Sequence, residues 1–211
     1  MDLILSGGVI LLAIVMVSIY AVYVFIVRYT QLSREPVDSE PLMQRVKTAI
    51  GERDLETALG ACRAQGGAVA RVLEAALTRL PYGRSAVEAG FQEASLEEEQ
   101  RLSRGLRPLA TVAQISPLMG LLGTVTGMII AFAEISQQGT GDPGALADGI
   151  GQALVTTAAG LIVAIPALIG QNLLASRVDN VLLEIDKRRE ELMGEVAQVA
   201  AKKPGSGSSQ A

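Results

Sequence analysis

Histidine and tryptophan are absent from this 211-residue chain, cysteine occurs once, at Cys62, and aromatic residues make up only 3%. Without histidine and with one thiol, the chain cannot assemble a zinc site, a Cys-His nucleophile or an internal disulfide. Most hydrolytic and redox chemistry is excluded on that ground, and no cofactor or metal is expected. A strong charge of either sign is missing too. The 18 Lys and Arg against 22 Asp and Glu leave −4, which gives nucleic acid no basic face to hold. There is no internal repeat and no glycine loop that would cradle a phosphate. What is present is aliphatic: 49% of residues are hydrophobic, a level that with so few aromatics is unusual for a soluble domain.

The charge that exists is unevenly placed. Asp, Glu, Lys and Arg are all missing from residues 3–27, 108–133 and 149–176. Each run exceeds the roughly 20 helical residues that cross a hydrocarbon core, so the chain reads as an all-α integral membrane protein with three transmembrane helices. The first run is a retained anchor rather than a secretory signal. Asp2 stands where a positive n-region belongs, the apolar stretch is too long, and no A-x-A cleavage pattern follows. All positive residues lie in 28–107 and 177–203, and those near the span ends are Arg28, Arg34, Arg101, Arg104, Arg107 and Arg177. Asp2, Glu134, Asp142 and Asp148 mark the other side. The positive-inside rule then places the amino terminus outside and the carboxyl terminus in the cytoplasm.

These boundaries give a first span with a short outer segment at 1–27, a cytoplasmic helical region at 28–107 and a second span at 108–133. An outer loop at 134–148, a third span at 149–176, a cytoplasmic helix at 177–201 and a disordered tail at 202–211 complete the chain. The cytoplasmic region has helical spacing at Leu42, Val46 and Ile50, and again at Val69, Val72, Leu73, Ala76 and Leu77. Val87, Phe91, Leu102 and Leu106 flank a charged stretch. Gly66-Gly67 and Pro81-Tyr82-Gly83 mark breaks. Val178, Val181, Leu182, Ile185, Leu192, Val196 and Val199 carry the third helix on past the membrane. Cys62 is expected to be a reduced, small core side chain.

The second and third spans differ from the lipid-suited first one in their small and hydroxylated residues. On the second, Ser116, Gly120, Thr124, Gly127 and Ala131 fall within about 80° of one another on a helical wheel, and Gly123 to Gly127 is a G-x-x-x-G. On the third, Ala153, Thr156, Gly160, Ala164 and Ala167 make an equivalent stripe. Small faces predict close helix approach, because in lipid it is packing that joins helices. Pro117 and Pro166 each remove a helix hydrogen bond and kink the helix. Thr124, Thr156, Thr157 and Gln152 place neutral polar groups at membrane depth. They can line a hydrated pore, or the hydroxyls can bond back to their own helices and do no more than pack. No acid or base other than tyrosine lies within the spans, so this chain alone has no titratable relay for protons.

The stretch Ser116-Pro117-Leu118-Met119-Gly120-Leu121-Leu122-Gly123-Thr124-Val125-Thr126-Gly127-Met128-Ile129 resembles the second-span signature of the MotA/TolQ/ExbB proton-channel family. Gln152-Ala153-Leu154-Val155-Thr156-Thr157-Ala158-Ala159-Gly160-Leu161-Ile162-Val163-Ala164-Ile165-Pro166-Ala167 is similar to its third-span signature. Three spans with a long cytoplasmic region after the first resemble the ExbB/TolQ branch. The resemblance implies a homopentamer in the inner membrane of a Gram-negative type envelope, its second and third helices lining a pore around the single-span helices of ExbD- or TolR-like subunits. The aspartate of that partner would carry the proton, and Thr124 and Thr157 would face it. The work would pass to a TonB- or TolA-like protein that spans the periplasm. One departure is Gln152, where many relatives carry glutamate; Gln keeps hydrogen bonding but cannot titrate, and with it sodium coupling stands beside proton coupling. A TolQ- or gliding-type motor subunit and a non-conducting membrane scaffold are the alternative readings.

Overall fold

A computed structural model describes residues 8–36, 38–138 and 143–201. Asp2, Asp142 and the tail at 202–211 lie outside these residues, and the side chains of Glu134 and Asp148 lie outside the described side chains. Every regular element described is helical. In chain order they are α1 (Gly8–Leu32), α2 (Glu40–Gly51), α3 (Leu55–Gln65), α4 (Gly67–Thr78), a 3₁₀ turn (Leu80–Tyr82), α5 (Arg84–Ser103), α6 (Leu106–Gln138) and α7 (Pro143–Ala201). The stretches Val9–Leu32, Arg84–Ala133 and Gly149–Val199 each contain a helix long and apolar enough to cross a membrane. The chain divides into two compact units: Met1–Thr30 with Gly105–Ala175, and Gln31–Arg104 with Ser176–Ala211.

The first unit is built from α1, α6 and the first part of α7. On α1, Leu11, Ile14, Ala21 and Val24 are buried while Val9, Leu12, Met16, Ile19 and Tyr23 are exposed, so one stripe packs inward and the rest presents aliphatic surface. Phe25 stacks on Tyr29 one turn later. Its ring also lies where a Cβ on Gly170 would sit, 2.8 Å away, so α1 seats directly on the backbone of α7. Gly105 separates α5 from α6 with a φ of +84°, and a side chain there would meet Arg28.

Helices persist further than the charge-free runs. The expected loop at 134–148 is helical up to Gln138 and again from Pro143, because absence of charge reports where a membrane can begin and not where helical backbone must stop. Pro117 and Pro166 both stand inside helices that continue on either side.

The second unit surrounds a core of Leu42, Val46, Ile50, Val69, Val72, Leu73, Leu77, Val87 and Phe91, with Val178, Val181, Ile185, Leu192 and Val196 from α7. This is the helical spacing expected. Gly66 and Gly67 break the chain between α3 and α4 with φ of +65° and +87°, values that side chains rarely adopt. Another break is unexpected. Between α2 and α3, Arg53 takes φ 59°, and Asp54 caps α3 by accepting from the Thr57 N–H at 3.0 Å.

Candidate functional site

The small residues of α6 and α7 meet backbone to backbone. A Cβ on Gly120 would stand 2.9 Å from the Thr156 carbonyl oxygen and the Thr157 Cα, and one on Gly160 would stand 2.5 Å from the Ser116 carbonyl oxygen. Gly123 faces the Thr156 side chain directly, Gly127 faces Ala153, and Gly149 faces Ala131. Only glycine leaves room for such an approach. Ala164 and Ala167 are buried further along the stripe.

The hydroxyls divide into two groups. Ser116 and Thr156 are buried and donate back to their own helices, Ser116 Oγ to Val112 O at 2.7 Å and Thr156 Oγ1 to Ala153 O at 2.8 Å. Thr156 at 2% exposure therefore packs inside this helix pair rather than on an open face. Thr157 does something different. Its Oγ1 donates across to the Gly120 carbonyl of α6 at 3.0 Å, a bond between helices that ties the α7 hydroxyl to the glycine of closest approach. Thr157 is half-buried, as is Gln152.

Thr124 does not share the contact stripe; Gly123 occupies that position instead. One residue is a rotation of about 100° on a helix, and it carries Thr124 to the half-exposed flank. There it borders a shallow, mostly apolar groove with Val125, Met128, Ile129 and Phe132. Its hydroxyl bonds back to Leu121 O at 2.6 Å, and Thr126 bonds back to Leu122 O at 2.9 Å. The stripe was thus legible in its glycines and displaced by one position at Thr124. Gly149 and Gly170 were missed as close-approach positions. Their signal was available, since they extend the spacing of threes and fours through Ala153, Thr156, Gly160, Ala164 and Ala167 in both directions.

Around this site the chemistry is sparse. Among the described residues no group of three His, Cys, Asp or Glu side chains is placed to hold a metal ion. The charged side chains cluster instead in the second unit, where Arg188 is 1% exposed. It donates to Glu184 at 2.7 Å, Glu40 at 2.8 Å, Glu191 at 2.6 Å and Ser39 Oγ at 2.8 Å. Lys47 adds a 2.6 Å pair with Glu191. Burial works to raise the Glu184 pKa, but hydrogen bonds from Ser39 and Arg188 outweigh it and hold the carboxyl below the ordinary value. The spacing did carry a signal for Arg188, which stands three residues after Ile185 and four before Leu192 on the buried face of α7. Cys62 is buried, and its thiol is pushed up to about 12 by that burial, with Glu74 adding to it.

Comparison with known proteins bears on these helices. The family model described as the MotA/TolQ/ExbB proton channel family matches residues 64–187, which hold all of α6 and most of α7. A putative biopolymer transport protein, ExbB-like 1, from Synechocystis is 33% identical over 83% of this chain and 70% of its own length. A putative biopolymer transport protein ExbB homolog from Methanothermobacter thermautotrophicus is 30% identical over 86% of this chain and 64% of its own length. Biopolymer transport protein exbB1 of Vibrio cholerae is 43% identical over 43% of this chain and 40% of its own length. The matches therefore leave a substantial part of each relative uncovered. With more than half of its residues under the family model and two long-range relatives of that name, this chain belongs to the MotA/TolQ/ExbB proton channel family, in its ExbB-like branch.

Proposed function

We propose that this chain is the wall-forming subunit of a motor driven by the proton-motive force, set in the inner membrane with its amino terminus outside and its carboxyl terminus in the cytoplasm. Five copies surround single-span subunits of the ExbD or TolR kind, which supply the membrane aspartate. The work passes to a TonB- or TolA-like partner that spans the periplasm. One observation carries the reading. The α6/α7 pair is free of Asp, Glu, Lys and Arg over 108–133 and 149–176, yet keeps Thr124, Thr157 and Gln152 half-buried at its edges. A surface of this kind can hydrogen-bond an ion or a protonated acid but cannot itself exchange a proton. The second unit, with its buried ion pairs, serves as a rigid cytoplasmic base and not as a catalytic domain.

The test is co-expression with an ExbD-like single-span protein, reconstitution into liposomes and measurement of proton flux. Thr157→Val keeps the side-chain shape and removes the hydroxyl. It is expected to lower flux by about tenfold, the worth of one well-placed hydrogen bond, while the assembly still forms. Equal flux from both proteins would sink the role given to Thr157. A sodium gradient imposed in place of the pH gradient decides which ion Gln152 accompanies.

A second reading, a non-conducting scaffold, draws on the fact that Gly120, Gly123, Gly127, Gly160 and Thr156 are all used in packing within one chain. Assemblies that copurify without any single-span partner and leave proton leak unchanged would favour it.

A further inference from the structure

Within the first unit, α1 and α6 border an open groove of about 620 Å³. Met16, Val17 and Tyr20 form one wall and Thr111 and Ile115 the other, with Arg107 at one end. The Arg107 guanidinium makes no ion pair or hydrogen bond among the described residues, whereas Arg63, Arg71, Arg79, Arg188 and Arg189 each hold a carboxylate. From Arg107 to Ile115 the groove runs about 12 Å along the helix, most of the roughly 15 Å depth of one hydrocarbon leaflet.

We infer that this groove is a binding site for a phospholipid with an anionic headgroup, one acyl chain lying between α1 and α6 and the phosphate held by Arg107. The walls are apolar apart from Tyr20, Thr111 and Arg107. Thr111 spends its hydroxyl proton on the Arg107 carbonyl at 3.0 Å, which leaves the Tyr20 hydroxyl and the Arg107 guanidinium as the donors for a phosphate oxygen. An arginine at the edge of a span binds phosphate through paired N–H donors, and a neighbouring tyrosine belongs at the same depth. The inference rests on α1 and α6 lying in a bilayer, and it does not depend on which ion the protein conducts or on which partner it serves.

The full-length protein is reconstituted in nanodiscs holding equal phosphatidylglycerol and phosphatidylcholine, taken up gently in detergent, and its retained lipid measured by mass spectrometry. Wild type is expected to retain phosphatidylglycerol about tenfold over phosphatidylcholine, the worth of one charge-assisted contact. Arg107→Gln should abolish the preference, Arg107→Lys should keep part of it, and Ile115→Trp, which fills the groove, should lower retention of both lipids. Ile19→Trp, on an exposed face of α1 outside the groove, should leave the ratio unchanged and shows that a new indole alone is harmless. Equal retention by wild type, or a preference that survives Arg107→Gln, overturns the site. Loss of the preference on adding inorganic phosphate overturns it as a lipid site and leaves only an anion site. A groove covered by a second copy of the chain shows itself if Ile115→Trp breaks the assembly while the two lipids are retained alike, and that outcome also overturns it.

Discussion

Cys62 and Arg188 show how differently single side chains can be read. Cys62 was legible as a core residue because it sits among alanines and leucines in an amphipathic stretch. Burial that pushes its thiol up to about 12 makes it chemically quiet, since the thiolate is the reactive form. Alkylation by iodoacetamide at pH 8 should therefore be about a thousandfold slower than for the same thiol in denaturant, measured by mass spectrometry; equal rates would place Cys62 at the surface. Arg188 was missed although its place between Ile185 and Leu192 continues the buried spacing of α7; the spacing gave the face, and the carboxylate cage on that face could not be read from it. Its cage makes a strong claim. Arg188→Met leaves Glu184, Glu191 and Glu40 close together without their shared cation and should cost about 3 kcal/mol, read as a lowered unfolding midpoint in detergent. A midpoint within a degree of wild type would mean that the cage is ornamental.

At the scale of elements, α1, α6 and α7 were visible because each contains a long run without charge, which is a physical requirement of the bilayer and not a matter of propensity. The last turns of α1 and α6 and the start of α7 were not, because charged residues ride along as the helix leaves the apolar run, whereas the continuation of α7 to Ala201 was. The break at Arg53 and Asp54 went unseen for another reason: it depends on a cap four residues long, Asp54 to Thr57, inside a polar stretch where period carries no information. The α6/α7 seam itself can be tested with matched substitutions. A Cβ on Gly160 would meet the Ser116 carbonyl and the Gly120 backbone, whereas one on Gly151 meets nothing within 4 Å. Gly160→Ala should then cost about 2 kcal/mol through overpacking and Gly151→Ala close to nothing, judged by resistance to thermal unfolding. Indistinguishable midpoints would show that the seam yields freely.

For the whole molecule, the scarcity of titratable groups in the first unit places pH sensitivity in the second. Glu184 is held below its ordinary value of 4.5. A carboxylate lowered in this way contributes stability in full above that value and loses it as pH falls. The groups facing it there are Ser39, Arg188 and, through Arg188, Glu40 and Glu191, with Lys47 on Glu191. Unfolding midpoints should thus be flat from pH 7 to about 5 and fall below about 4.5, and Glu184→Gln should flatten that acid limb. A decline already present between pH 7 and 6 would assign the sensitivity to some other group. The division of the chain into an apolar unit and a charged unit was legible from the start; which hydroxyls are used up in packing and which stay available was not, because a helical wheel gives faces and not neighbours.

The contact between Gly120 and Gly160 has one more consequence. Glycine has no side-chain rotors, and folding normally loses conformational freedom for each long side chain it fixes. Where α6 meets α7 at these two residues, association freezes almost none. The seam therefore starts with little side-chain entropy to lose and gains little by coming apart, so docking the two formed helices there carries a small side-chain entropic cost.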